Sequence, residues 1–385
     1  MSSDLVYDPL DQVTINNPHH IYDRLRSEAP VFWHHRTSSW VLTRYDDCRF
    51  VLSNHELFAR DQRRIGRQLP ASQDNMQIQD PPTLIAFRSQ LSDAFKKQDT
   101  SKLISIARSR LEANILRRSP DVPFDFMADV ALDVALSLSL DLFGVSANPP
   151  SNYFSIFEGL ARQMDSTIDP SRRTGGALAA SLLRSLMHDW VTAPRSSGLI
   201  RSLSESARSA ESENDYIVNT MCGVFNACFS TLYAITGSAF CVMLKRPHLL
   251  ETKVSIATDV AAAELIRFIS PAQGSSRYAV TSVEIGNRAI KGGDALIVLF
   301  AAANWDPATF RSPGELNLSR HPNPHLGFGW GSHFCIGASF ASGWVREVLS
   351  FLHDSHHRIE LAGEVEYMNM ATLRCLSKLP MIKKE

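Results

Sequence analysis

The sequence lacks an excess of charge of either sign. Among its 385 residues 39 are basic and 40 are acidic, so the formal net charge is −1. Such a balance offers no global electrostatic basis for nucleic-acid binding, and we expect no nucleic-acid partner. The first residues, Met-Ser-Ser-Asp-Leu-Val-Tyr-Asp, also lack the charged-then-apolar pattern of a signal peptide. We therefore predict a cytoplasmic protein.

The six cysteines form no disulfide framework and no CxxC pair. Three of them, Cys222, Cys228 and Cys241, lie within one uncharged stretch. A cysteine in such a setting is usually a small buried apolar side chain in a reducing compartment. Only Cys335 has surroundings that argue for a different role.

The uncharged stretch from Tyr216 to Leu244 is long enough to cross a bilayer. Polar residues interrupt it repeatedly, namely Asn219, Thr220, Asn226, Ser230, Thr231, Thr236 and Ser238. So many polar groups favour a helix buried in the middle of a globular domain over a helix in lipid. We predict a buried core helix and no membrane association.

No internal repeat or low-complexity linker divides the chain, so we predict one domain over residues 1–385. Helical spacing of apolar residues predicts helices at 18–28, 45–52 and 253–268, and a last long helix after residue 335. A Trp-containing hairpin at 31–33 and 40–43 and the segment 278–300 are predicted to be β-structure, and the polar residues 59–82 a loop. The expected fold class is mainly α with small β-sheets, an α+β fold.

The segment Phe328-Gly-Trp-Gly-Ser-His-Phe-Cys-Ile-Gly337 carries the strongest chemical signal. Its glycines let the backbone turn tightly and approach a flat ligand closely. The helix that follows directs free N–H groups toward the Cys335 sulfur, a setting that lowers a thiol pKa and stabilises a thiolate. A thiolate held in this way is a strong ligand for haem iron. Zinc binding through His333 and Cys335 would need two more ligands that the neighbouring sequence does not provide.

This segment resembles the haem-binding signature of the cytochrome P-450 family, Phe-Gly-x-Gly-x-His-x-Cys-x-Gly, at every defined position. The resemblance extends over nearly the whole chain and implies the cytochrome P-450 fold. It implies haem b, iron protoporphyrin IX, as the cofactor and Cys335 as the metal ligand. It further implies that Phe328, Gly329 and Gly337 contact the cofactor.

The resemblance also implies roles for residues outside the signature. Glu264 and Arg267 match the family's Glu-x-x-Arg helix, and Arg320 stands where the third member of that buried ion set is expected. Residues expected to neutralise the haem propionates are Arg88, Arg277, His325 and His333. A histidine that the family carries four residues before Arg88 is replaced by Leu84.

By the same resemblance, Thr231 occupies the position of the threonine that assists oxygen activation. The family's acid beside it is replaced by Ser230 and its glycine by Cys228. Water, Ser230 or the substrate are the candidates for supplying the proton, whereas a purely structural Thr231 would hydrogen-bond its own helix. Residues expected at the substrate pocket are Cys228, Phe229, Gln273 and Met370.

The expected function is O₂-dependent hydroxylation of a small organic molecule, in bacterial specialised metabolism, with electrons from a ferredoxin or flavodoxin. One alternative is another haem-thiolate oxidation, such as ring coupling, desaturation, peroxide use or nitration. A second alternative is a haem sensor or carrier without turnover. The expected assembly state is a monomer.

Overall fold

The computed structural model describes residues 7–145, 153–193, 198–204 and 211–385. Helices dominate these ranges, and the strands form small sheets, which confirms the predicted fold class. The helices are α1 Gln12–Asn16, α2 Pro18–Glu28, α3 Tyr45–Ser53, α4 Thr83–Lys96, α5 Thr100–Leu116, α6 Leu132–Phe143, α7 Tyr153–Met164, α8 Arg172–Thr192, α9 Gly198–Ser204, α10 Glu211–Leu244, α11 Asp259–Ile269, α12 Phe300–Ala303 and α13 Ala338–Ser355.

The strands form four small sheets in the described part of the chain. They are β1 Val31–His34, β2 Ser39–Leu42, β3 Phe58–Ala59, β4 Phe124–Asp125, β5 Gly274–Ala279, β6 Val283–Ile285, β7 Arg288–Ile290, β8 Ala295–Leu299, β9 Ile359–Leu361, β10 Glu366–Tyr367, β11 Leu376–Lys378 and β12 Pro380–Lys383. The largest sheet has five strands in the order β1-β2-β8-β5-β3. In it β2 and β8 run parallel, whereas β5 is antiparallel to both β8 and β3. This sheet brings the N-terminal hairpin and the segment 274–299 together.

Helix α10 is the core helix that the uncharged stretch predicts. Its apolar window, within residues 215–244, has the length and composition of a membrane span, but 72% of that window is buried inside the protein. The helix packs against α6, α8 and α13. The Trp344 indole of α13 donates a buried hydrogen bond of 2.8 Å to Thr236 Oγ1 of α10. Burial on several sides is the environment of a core helix in a globular protein.

The predicted helix at 253–268 begins later than expected, at Asp259. Thr258 caps it by accepting a hydrogen bond of 3.1 Å from the Ala261 N–H. Upstream, the side chains of Thr252 and Ser255 accept hydrogen bonds from backbone N–H groups two residues further on. Such local bonds compete with helix formation, which explains the shorter helix.

The segment 59–82 is a loop containing three short 3₁₀ turns, and it lies against α10. Five hydrogen bonds join the two: the α10 residues are Tyr216, Asn219 and Thr220, and the loop residues are Ala71, Asp74, Met76, Gln77 and Gln79. The loop is therefore fastened along the N-terminal half of the core helix.

Candidate functional site

Cys335 lies at the end of a tight loop directly before α13. The loop closes through a hydrogen bond of 2.9 Å from the Cys335 N–H to the Phe328 carbonyl. Gly329 and Gly331 adopt φ of 69° and 71°, a region that favours glycine. A Cβ on Gly331 would lie 2.3 Å from the Leu52 carbonyl oxygen, so no larger residue fits there. Sequence and packing thus deliver the cysteine to the start of the helix.

The Cys335 side chain is enclosed by protein but open to a cavity, so a solvent-sized molecule can reach its sulfur. Burial raises the pKa of the Cys335 thiol, while the Gly337 N–H and the Arg88 guanidinium act in the opposite direction. The Gly337 N–H therefore acts on this pKa in the expected direction, but desolvation of the thiolate outweighs it. A bound metal ion deprotonates a coordinating thiol outright.

The cavity beside Cys335 has an empty volume of about 1630 Å³, including its solvent-open part. Most of its lining is apolar, and its charged lining residues are Arg60, Arg88 and Arg277, with no Asp or Glu among the described residues. This set of residues fits haem, which presents a flat apolar ring, a metal for the thiol and two carboxylates.

Arg277, on β5, is buried and has no carboxylate within ion-pair distance among the residues described. Its Nη1 donates to Ser275 Oγ at 2.9 Å and to the Ser276 carbonyl at 2.7 Å. Burial, and next the neighbouring Arg60, lower the pKa of Arg277 to about 9. Arg88 also reaches the cavity and donates a hydrogen bond to the Phe334 carbonyl. Both residues are therefore positioned to meet an anion in the cavity.

His333 lines the cavity but faces a carboxylate of the protein. Its Nε2 lies 3.5 Å from Asp80 Oδ1. Burial lowers the pKa of His333 to about 4, so the ring is neutral near pH 7. Burial alone would raise the pKa of Asp80, but hydrogen bonds from His333 and from the N–H groups of Asp61 and Arg60 outweigh it and bring this pKa to about 2. Asp80 thus ties the start of the 59–82 loop to the loop that carries Cys335.

His325 lies next to the cavity without lining it. Its Nδ1 accepts a hydrogen bond of 3.1 Å from the Gly327 N–H. Burial, and next the charge of Arg267, lower the pKa of His325 to about 4. The ring supports the loop backbone through this hydrogen bond. Because it is neutral near pH 7, it carries no charge with which to neutralise an anion.

Glu264, Arg267 and Arg320 are brought together as one buried ion set. The Glu264 carboxylate accepts from Arg267 at 2.7 and 2.9 Å and from Arg320 Nε at 3.0 Å. Asn317 N–H and Asn323 Nδ2 complete its hydrogen bonds at 3.0 and 3.2 Å. Buried charges persist when paired and hydrogen-bonded in this way.

The two arginines of this set also hold the backbone of the segment before the Cys335 loop. Arg267 donates to the Asn304 carbonyl at 2.7 Å, and Arg320 donates to the Arg311 carbonyl at 2.7 Å. The ion set therefore fixes the path of the segment 304–323. Residue spacing alone did not indicate Asn317, Asn323 or Asp80.

Helix α10 presents Thr231 and Cys228 to the cavity. The Thr231 hydroxyl donates a hydrogen bond of 2.7 Å to the Ala227 carbonyl of its own helix. The Ser139 hydroxyl donates to the Cys228 sulfur at 3.5 Å. Ser230 is buried in the helix packing and does not line the cavity, because it points to a different side of the helix from Thr231.

Three residues expected at the substrate pocket lie elsewhere. Phe229 is fully buried in an aromatic cluster, where its ring stacks on Tyr233. Gln273 and Met370 line a separate small pocket, in which the Tyr22 hydroxyl donates to Gln273 Oε1 at 3.0 Å. Of the four expected pocket residues only Cys228 reaches the cavity, because the other three side chains are taken up by packing or hydrogen bonding elsewhere.

Comparisons with known proteins agree with this fold and site. A sequence model of the cytochrome P-450 family matches residues 257–350, a range that includes the ion set and the Cys335 loop. The polyketide biosynthesis cytochrome P-450 PksS of Bacillus subtilis is 26% identical over 98% of both chains. The solved structure of PksS matches with a TM-score of 0.82, at 25% identity over 99% of this chain and 100% of that one. The structure of epothilone D-bound cytochrome P-450epoK matches with a TM-score of 0.86, at 20% identity over 99% of each chain.

The fold and the cysteine-bearing cavity are those of a haem-thiolate oxidoreductase. The chain belongs to the cytochrome P-450 family, and its cofactor is haem. It is an enzyme of the monooxygenase type.

Proposed function

We propose that the cavity beside Cys335 binds haem b, with the Cys335 sulfur as the protein ligand of the iron. The observation that carries this proposal is a largely apolar cavity with this thiol open to it and arginines as its charged lining residues. Haem carries two carboxylates, which are costly to bury unpaired. A thiolate-bound haem supplies O₂ binding and the electron density that favours O–O cleavage.

The chain's own residues divide the work of holding this group. Phe328, Gly329 and Gly337 line the cavity close to the thiol and let the backbone approach a flat ring. Arg88 and Arg277 neutralise the propionates. His333 and His325 are neutral near pH 7, so they contribute N–H groups and loop support rather than charge. The Glu264, Arg267 and Arg320 set keeps the segment before the loop in place.

Thr231 is the residue proposed to act on the oxygen side, because its hydroxyl lies at the cavity wall. There it can accept a hydrogen bond from a bound molecule while its own O–H donates to the Ala227 carbonyl. Ser230 does not face the cavity, which removes its hydroxyl as the direct proton source. Water in the cavity is therefore the proposed route for protons to Thr231 Oγ1.

The reaction proposed is hydroxylation of a small, largely apolar organic molecule, since the cavity lining is predominantly apolar. The names of the relatives PksS and P-450epoK refer to polyketide biosynthesis and to epothilone, which supports a role in bacterial specialised metabolism. We further propose a ferredoxin or flavodoxin as the electron donor, and a single-domain, cytoplasmic monomer.

A second haem-thiolate reaction is favoured by one observation. The cavity lining contains no Asp or Glu among the residues described, so no carboxyl group stands beside Thr231 to feed protons to bound oxygen. Oxidative coupling or desaturation, in which no oxygen atom enters the product, is the corresponding candidate. Product analysis with isotopically labelled O₂ separates the two, because only hydroxylation places the label in the product.

The cofactor assignment is tested by Cys335→Ala, with Cys228→Ala as a matched control at the second cavity thiol. The reduced, CO-bound wild type and Cys228→Ala should show the Soret band of thiolate ligation. Cys335→Ala should lose that band whether or not it retains haem. The proposal is contradicted if Cys335→Ala keeps the spectrum of thiolate ligation. It is also contradicted if the wild-type protein, produced with added haem, contains no porphyrin when purified.

A further inference from the structure

Arg60 lines the cavity, whereas the other arginines of the 59–82 loop, Arg63, Arg64 and Arg67, do not. It follows β3, whose residues Phe58 and Ala59 pair with Ala279 and Tyr278 of β5. Continuing that antiparallel register by one residue places Arg60 opposite Arg277. Like charges directly opposite each other on neighbouring strands are destabilising. Two arginines are therefore held side by side at one end of the cavity.

Among the described residues, neither guanidinium has a carboxylate within ion-pair distance; the ion pairs of Asp80 are with Arg64 and His333. Asp80 is the carboxylate whose charge acts on both residues. Its oxygens already accept from the Arg60 and Asp61 N–H groups, from Arg64 at 3.4 Å and from His333 at 3.5 Å. The Arg60 side chain has no ion pair or hydrogen bond in the described part of the chain, and burial lowers its pKa. An external anion between the two guanidiniums would offset the repulsion.

We propose that Arg60 and Arg277 together form a carboxylate-binding site, in which Arg60 acts as a second cation alongside the family's arginine. The site compensates for Leu84, which stands where the family carries a histidine for a propionate and is itself part of the cavity wall. This inference rests on the proposed function, since it assumes that the cavity holds haem. The carboxylate comes from one of two sources, a haem propionate or an acidic substrate.

Both sources of the carboxylate are compatible with the charges in the cavity. The cavity lining carries three arginines against the two propionates of one haem. If Arg88 and Arg277 each neutralise one propionate, Arg60 is left for a substrate carboxylate. If Arg60 and Arg277 share one propionate, neither of these two arginines is left for a substrate carboxylate.

The variants are Arg60→Gln, which removes the charge, and Arg60→Lys, which keeps it. Comparing the two separates the effect of losing the charge from the effect of a folding defect. Arg67→Gln is the matched control, because Arg67 is exposed on the same segment and lies over the Tyr278 ring outside the cavity. Two quantities are measured on the ferric holoproteins. One is the rate of haem transfer to apomyoglobin, and the other is the affinity for two iron-coordinating probes, ω-imidazolyl dodecanoate and neutral dodecylimidazole, followed by the Soret shift.

If the bound carboxylate is a propionate, Arg60→Gln loses haem about tenfold faster than Arg67→Gln, and Arg60→Lys falls between them. If it belongs to a substrate, haem loss is unchanged and Arg60→Gln weakens the dodecanoate probe about tenfold relative to dodecylimidazole. The inference is overturned if Arg60→Gln matches Arg67→Gln in haem retention and in the ratio of the two affinities. A failure of the proposed function is distinguishable, since the wild type would then lack the thiolate-type CO spectrum.

Discussion

The Glu264 ion set makes the most direct prediction about stability. Glu264→Gln preserves the size of the side chain but removes the charge that faces two buried guanidinium groups. The substituted amide also turns an N–H₂ donor toward groups that are themselves donors. All three members of the set are at most 9% exposed, so water cannot replace the lost carboxylate without opening the structure.

The expected cost follows from this burial. Removing one partner of a buried ion pair costs about 3–5 kcal/mol, because an uncompensated charge remains behind. Here two cations are left, so we expect the upper part of that range. Globular proteins have free energies of unfolding of about 5–15 kcal/mol, so this single substitution removes a large share of the total.

Equilibrium urea unfolding followed by far-UV circular dichroism measures the effect, with all variants at equal haem content. Asp93→Asn is the matched control, since Asp93 and Lys96 form a pair at the same i,i+3 spacing with side chains 61% and 77% exposed. Exposed pairs contribute about 0.2–1 kcal/mol. If Glu264→Gln lies within about 1 kcal/mol of Asp93→Asn, the reasoning about the buried set is refuted.

Three further predictions concern other parts of the site. Asp80 has a folded pKa of about 2, below its ordinary value of 3.8, so the carboxylate stabilises the fold above about pH 4 and that contribution is lost as the pH falls through 2. Asp80→Asn should therefore be roughly 2 kcal/mol less stable than wild type near pH 7, with the difference shrinking below pH 4 in urea titrations, and a pH-independent difference would refute the assignment. Thr236→Val should cost about 1–3 kcal/mol in the same assay, because it leaves the buried Trp344 N–H without an acceptor, and a cost below about 0.5 kcal/mol would contradict the role of that bond. Thr231→Val should raise the fraction of reducing equivalents recovered as hydrogen peroxide, and an unchanged peroxide yield would argue for a purely structural threonine.

Local patterns were sufficient to predict much of this fold and site. The glycine spacing around Cys335 predicts the loop. Gly329 and Gly331 have positive φ, and Gly331 has no room for a Cβ, so few other residue types fit at these positions. The uncharged run predicts α10 because a long apolar helix has to be buried. The fold class also followed, since the periodicity of the helices is strong and the strands are short.

What could not be predicted depends on contacts between distant segments. Nothing near Asp80 in the sequence shows that its carboxylate meets His333, which is 253 residues away. The expected pocket residue Gln273 is close to the site in sequence, but a hydrogen bond to Tyr22 directs it into another pocket. Arg60 was one of four arginines in a polar loop, and only the pairing of β3 with β5 distinguishes it from the others. Register and packing, rather than residue type, decide these positions.

The hydrogen bonds between the 59–82 loop and α10 have a consequence for how ligands reach the cavity. Releasing five such bonds costs roughly 3–7 kcal/mol at the usual net value of each. If the loop has to lift away as a unit, fewer than about one molecule in a hundred is open at any moment. Ligand capture would then be governed by a rare opening event, and a tight-binding compound would be expected to associate slowly and dissociate more slowly still.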